Sequence, residues 1–308
     1  MFSRVGQAMA AALAATLIVW LILPLAPGDP VLRILAAQGI DEPNELQIDV
    51  LRAELALDRP LPVQYIEWLG RVVQGDLSVS YRTGQPVLTE IASRLPATAL
   101  LLGTALAFSV FFSLILALIA VHFRDRWPDR IIRAYTQITA SVPTFIFALL
   151  VLQYVVLGLG IGKVLPRGLG WLVLLPALTL AIDRAGGWTQ LLRASLLEHI
   201  HSGPVLVARS RGATRWRTLW RHALPNSLLP YITAIGVSLG AMIGGTPIIE
   251  EIFTWPGLGR LMLLSIQARD FPVIQAFVLL GALCYVTASM LVDLVSMAID
   301  PRLREAHP

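Results

Sequence analysis

The chain has 308 residues, 56% of them hydrophobic and 14% charged, and a formal net charge of +4; its mean hydropathy is +0.70. That balance excludes an ordinary soluble two-domain protein and fits a polytopic membrane protein whose main solvent is lipid. The basic residues sit at the ends of apolar runs and no nucleic-acid motif accompanies them, so positive-inside topology accounts for the charge and nucleic acid is not an expected partner. Cys284 is the only cysteine and lies in an apolar run, which rules out an internal disulfide and a cysteine metal cluster.

In chain order, Arg4 precedes an apolar run over residues 8–26. This is long for a signal-peptide core, and Pro24 and Pro27 do not make a small-residue cleavage site, so it is read as a retained first span. Residues 28–94 hold ten acidic residues against six arginines, too polar to cross a bilayer, and predict a small external helical domain between the first and second spans. Within it residues 44–57 read as one amphipathic helix. Residues 63–74 read as another, with Ile66, Leu69 and Val73 on one side.

Further spans are expected at residues 98–121, 131–157, 169–190, 228–249 and 273–299, each near or above the roughly 20 residues needed to cross. The prediction is therefore an all-α chain with six transmembrane helices. With the N-terminus inside, the cytoplasmic side carries 14 basic and 6 acidic residues and the outer side 10 basic and 13 acidic. The bias places both termini in the cytoplasm of a multi-pass protein of the cell membrane. The domains are then residues 1–27 as first span, 28–94 outside, 95–299 as a five-helix core, and 300–308 as a cytoplasmic tail.

Several spans carry unusual residues. Pro143, in Ser141-Val142-Pro143-Thr144-Phe145, frees a carbonyl and kinks the third span, as a static bend or as part of a path that opens. Asp183 and Arg184, followed by Gly186 and Gly187, lie about two thirds along the fourth. They either pair locally, bind Asp293, line a path for a charged terminus, or mark an early end of the span at the cytoplasmic rim. Gly236, Gly240 and Gly244 repeat every fourth residue in the fifth span, allowing close backbone approach as plain packing or as a moving interface. Asp293 lies inside the sixth, where a carboxylate has to face protein, water or a cation.

Between the fourth and fifth spans runs SGPVLVARSRGATRWRTLWRHALPNSLLPYIT, residues 202–233. Ser202 is placed to cap a helix that Pro204 opens and Gly212 stops in a left-handed turn, giving a short exposed helix over 205–211. Thr214 is placed to cap a second helix with Trp216, Leu219, Trp220, Ala223 and Leu224 as an apolar stripe and Arg215, Arg217 and Arg221 opposite. Such a helix would lie along the membrane surface until Pro225 and Pro230 turn the chain inward.

The string Ala208-Arg209-Ser210-Arg211-Gly212, with His222-Ala223-Leu224-Pro225 following after nine intervening residues, resembles the "EAA" loop of ABC-importer permeases; continued through Asn226 and Pro230 it resembles the peptide/nickel, dipeptide/oligopeptide permease B-like branch. Pro27-Gly28-Asp29-Pro30, Leu57-Asp58-Arg59-Pro60, Gly75-Asp76-Leu77 and Arg94-Leu95-Pro96-Ala97-Thr98 are similar to the same family. So are the run from Gly244 through Gly245, Glu250, Phe253, Trp255, Pro256, Gly257 and Gly259 to Arg260, the later Arg269-Asp270-Phe271-Pro272, and Asp300-Pro301-Arg302 at the end. Departures are Leu206 and Val207 where the general motif has Glu and Ala, Ser78 and Ala56 where glycine is usual, and Pro247 and Glu251.

The resemblance implies a type I ABC importer permease fold and a transport subunit forming half of a path for di- or oligopeptides, with nickel chelates or glutathione as alternatives. It implies a coupling loop over 191–227, docking to an ATPase groove through Val205, Ala208, Arg209, Ser210, Arg211, Gly212, Ala213, Leu224 and Pro225. It also implies an external re-entrant loop over 245–272, where Phe253 and Trp255 would plug a pore mouth, and a homologous second permease, two ATPase subunits or domains, and an extracytoplasmic substrate-binding protein as partners. ATP and Mg would be held by those partners, with no cofactor in this chain. In agreement, the only lysine, Lys163, is followed by Val164, so no phosphate loop forms. The five histidines make no zinc pattern and no nucleophile elbow is present. An intramembrane enzyme using Asp183, Asp293 or Glu250 is the remote alternative.

Overall fold

The computed structural model describes residues 2–25, 29–37, 39–40, 42–54, 57–160 and 171–299; among these every regular element is a helix, beside one isolated antiparallel bridge between Val79 and Pro86. The described residues fall into two compact units, one within Met1–Thr98 and Pro256–Val286, the other within Ala99–Trp255 and Thr287–Pro308.

The first unit holds α1 (Phe2–Leu25), α2 (Pro30–Ala37), α3 (Glu45–Glu54), α4 (Leu61–Val73), the first turns of α5 (Val87–His122), α12 (Leu258–Gln267) and the first half of α13 (Phe271–Ile299). Helix α2 was not expected. Asp29 Oδ1 accepts the Val31 N–H at 2.9 Å and Pro30 takes the first helical position, so the Asp-Pro pair is a helix start. Helix α3 opens on a reciprocal capping box, Gln47 N–H to Asn44 Oδ1 at 2.8 Å and Asn44 N–H to Gln47 Oε1 at 3.0 Å. Helix α5 starts at Val87 rather than near residue 98. Its first turns bury Val87 and Ile91 against Leu258, Leu261, Val273 and Ala276, and that apolar burial favours helix ahead of the apolar run.

The second unit holds the remainder of α5 together with α6 (Trp127–Ser141), α7 (Thr144–Leu150) continued by a π stretch to Gly158, α8 (Leu174–His199), α9 (Gly203–Ser210), α10 (Arg215–Thr218) and α11 (Leu224–Ile252). Helix α8 packs against both α6 and α11. The third expected span is not one kinked helix: α6 and the α7–π helix meet at 105° across Val142-Pro143. Pro143 disfavours helical backbone at the residue before it, and Val142 is extended, with φ −103° and ψ 121°. Among the described residues, α5 alone is long and apolar enough to cross a bilayer by itself, and the bent pair meets the same standard jointly.

Helix α8 runs unbroken through Asp183–Gly187 to His199, so those charges lie inside one continuous helix. Its close fit to α6 explains Gly186: a Cβ there would stand 1.9 Å from Thr139 Oγ1. Helix α11 likewise continues to Ile252, so Gly245 and Glu250 are helical rather than part of a loop.

Candidate functional site

Helix α9 occupies the expected place of the short exposed helix. Gly212 is left-handed, φ +83°, with its N–H bonded to Arg209 O at 2.9 Å and the Ala213 N–H to Ala208 O at 3.1 Å, the paired bonds of a Schellman stop. Val205 is fully buried and anchors the helix, while Leu206, Val207, Arg209, Ser210 and Arg211 are exposed and Ala208 and Ala213 are half-buried. Leu206 and Val207 therefore stand on the outward surface. An open hollow of about 620 Å³ adjoins the helix, bordered by Pro204, Val207, Ala208, Arg211, Arg217 and His222. Ser202 holds the N-cap position, but its hydroxyl is buried and makes no capping bond, a correction to the expected cap.

Beyond α9, Thr214 does cap, its Oγ1 accepting the Arg217 N–H at 3.4 Å. Helix α10 then passes through a π stretch, Leu219–Ala223, directly into α11. Pro225 sits in the first turn of α11 and Pro230 is accommodated within it, so neither turns the chain back; the expected surface helix and the fifth span are one helical run. The expected apolar stripe splits. Leu219, Ala223 and Leu224 are buried, whereas Trp216 and Trp220 remain about half exposed.

The turn between α5 and α6 meets both arms of this loop. Asp129 is fully buried, and Arg193 of α8 donates to it through both fork positions, Nε to Oδ1 at 2.8 Å and the terminal nitrogen to Oδ2 at 2.9 Å. The Asp125 N–H adds 3.0 Å to Oδ2, and Arg133 stands at 3.6 Å. Burial would raise the Asp129 pKa, but the Arg193 and Asp125 hydrogen bonds, with the Arg193 and Arg133 charges, outweigh it and hold the carboxyl below its ordinary value. On the other arm, Arg215 donates to Val121 O at 3.3 Å and Trp216 stacks on His122 with ring centroids 4.5 Å apart. Desolvation, then the Arg215 and Arg126 charges, push the His122 pKa down and favour the neutral ring. Neither contact was foreseen; the available signal was an Asp and several arginines confined to short polar turns of an otherwise apolar chain.

Of the residues expected along a path, Pro143 is exposed at the N-cap of α7. Asp183 pairs with its neighbour Arg184 at 3.5 Å, both side chains about a quarter exposed, and Tyr135 of α6 donates to Ile182 O at 2.6 Å. Gly244 faces open space, since nothing lies within 4 Å of a Cβ built there. Asp293 lies on α13 with its side chain outside the described residues, as are Lys163 and Asp300. At the other end of α11, Glu250, Phe253 and Trp255 are buried, so neither ring is presented at an open surface of the chain. The Trp255 N–H bonds to Glu250 O at 2.7 Å, and Pro256 and Gly257 lead into α12, which starts one residue before Gly259. Asp270 is buried and receives hydrogen bonds from Ser80 Oγ and the Tyr81 N–H.

The all-helical fold of the described residues is shared with solved chains of ABC transporters. An amino acid ABC transporter matches with TM-score 0.54, 17% identity, covering 75% of this chain and 98% of that one. The inward-facing MetNI methionine ABC transporter matches with TM-score 0.58, 17% identity, and coverage of 68% and 96%. The chain belongs to the binding-protein-dependent transport system inner membrane component family, which it matches over residues 87–305, and it matches the N-terminal component of that family over residues 1–102. It is an inner-membrane permease subunit of an ABC importer. The glutathione transport system permease protein GsiC of Pectobacterium atrosepticum is 34% identical over 287 residues, covering 93% of this chain and 92% of that protein. GsiC of Escherichia coli K12 is 33% identical over 299 residues, 94% and 93%. A chain described as a peptide permease in Brucella ovis is 35% identical over 311 residues, 95% and 94%.

Proposed function

We propose that this permease crosses the membrane six times with both termini in the cytoplasm and forms half of the translocation path beside a homologous second permease. Peptide-sized ligands are its cargo, di- or oligopeptides and glutathione among them, delivered from outside by a binding protein; nickel chelates are the alternative. Relatives described as glutathione and peptide permeases support that cargo class. An open apolar groove of about 610 Å³ between α8 and α11, bordered by Leu191, Leu229, Thr233 and Val237, supports a partner permease covering it.

Helix α9 carries the reading. It is anchored by buried Val205, stopped at Gly212, and offers Leu206, Val207, Arg209, Ser210 and Arg211 outward, which suits docking into a groove of an ATP-binding subunit. ATP and Mg belong to that subunit; its closure favours the permease state in which α9 has moved. Asp183 and Arg184 are candidates for the path lining, with Pro143 at the bend.

The test is uptake per ATP hydrolysed in vesicles containing the complete complex. Gly212→Pro and Arg211→Glu are expected to leave the subunit inserted and to separate hydrolysis from uptake. Normal uptake by both variants would exclude α9 as the coupling element.

A further inference from the structure

We propose that the turn Val121–Asp129 is a bracket that fixes α9 to the helix bundle, gripping the loop on both sides of it: Arg193 before, Arg215 and Trp216 after. This rests on the coupling role proposed above for α9 and names the residues that position it. A helix of eight residues can pass displacement onward only if it does not swivel, and α9 is flanked by two non-helical joints, residues 200–202 and 211–214. Push on α9 alone and those joints would absorb the motion. Each arm beyond a joint is instead tied to the same short turn.

The upstream tie is a two-point ion pair between the buried Asp129 carboxylate and the partly exposed Arg193, and both carboxylate oxygens are satisfied. Such a pair has narrow angular tolerance, so α8 and the turn move as one piece. Asp125 is left-handed at φ 66°, a conformation that aims its N–H at Asp129 and gives the turn one shape. Downstream, Arg215 reaches the last carbonyl but one of α5, and the Trp216 ring lies within 18° of parallel to His122. Val121 and Asp129 are both buried while residues 124–127 between them are exposed, so the bracket is held at its two ends. Displacement of α9 therefore reaches α5, α6 and α8 together.

The experiment compares Asp129→Asn, Arg193→Lys and Gly212→Pro in the complete reconstituted complex. It reads ligand accumulated per ATP and the distance distribution between spin labels at Gly203→Cys, where an added Cβ meets open space, and Arg130→Cys in a Cys284→Ser background. Asp129→Asn is expected to lower the coupling ratio by about tenfold and to broaden the distances. Arg193→Lys, which keeps the charge and loses the fork, falls between it and the parent. Where Asp129→Asn reduces assembly, Arg193→Lys decides. Parental ratios and distances in both bracket variants, with Gly212→Pro uncoupled, would overturn the bracket while leaving α9 as the coupling helix; coupling retained in all three overturns both.

Discussion

Ser80 and Asp270 lie 190 residues apart in sequence and 2.5 Å apart in space, the serine hydroxyl donating to Asp270 Oδ2. The other carboxylate oxygen takes the Tyr81 N–H at 3.0 Å, and the same hydroxyl accepts the Thr83 N–H at 3.1 Å. A fully buried acid thus holds the 78–86 loop to the start of α13. Removing one partner leaves a desolvated oxygen behind, at a cost of about 1–3 kcal/mol for Ser80→Ala and more for Asp270→Ala, which strips both bonds. Thermal unfolding of the purified subunit in detergent measures it. Two parental melting curves would show that the contact has no stabilising role.

At the α6–α8 contact, Gly186→Ala is expected to force the helices apart, because its Cβ would stand 1.9 Å from Thr139 Oγ1 and 2.9 Å from Thr139 Cβ. Overpacking of this kind costs about 1–3 kcal/mol. Thr139→Gly in the same chain removes both obstructing atoms and should recover most of the loss. A double-mutant cycle on melting temperature gives the coupling, and additive effects would contradict the contact.

Much of this was legible because it is local. The Gly212 stop and the Thr214 cap follow from residue type and short spacing, and apolar runs located α1, α8, α11 and α13 to within a few turns. What escaped depended on partners distant in sequence. Asp129 reads as one more charge in a short loop until Arg193, 64 residues on, is folded against it. Val87 and Ile91 fall in a polar segment, and the core that Leu258 and Leu261 offer them lies far along the chain. The 105° break at Pro143 exceeds a simple kink because Val142 leaves helical geometry altogether, and proline alone does not say whether a helix bends or divides. The charges at 183–184 and the glycines beside them resisted reading because helix packing, not periodicity, explains Gly186.

Ser78 adopts left-handed backbone at φ 67°, with its N–H held by Asp76 Oδ1 at 2.8 Å. An L side chain in left-handed backbone is disfavoured by roughly 1–2 kcal/mol. Part of that is offset by the greater unfolded freedom of glycine. Ser78→Gly is therefore expected to raise stability by up to about 1 kcal/mol, read as a higher melting temperature. A lower one would indicate that the serine side chain contributes more than its backbone strain costs.

His122 sets a pH window at the C-terminal end of α5. Its pKa is pushed below the ordinary value by desolvation, then by Arg215 and Arg126, and the neutral ring stacks on Trp216. A base with a lowered folded pKa binds protons more readily when unfolded, so its contribution is complete above the unfolded value of about 6.5 and is lost as pH falls through the folded one. Asp129, also lowered, loses its contribution only as pH falls below about 4, outside that window. Melting temperature measured from pH 8 to pH 5 should therefore fall more in the parent than in His122→Phe, which keeps an aromatic face toward Trp216 and does not titrate. Parallel curves for the two proteins would mean that the imidazole is not held neutral by the fold.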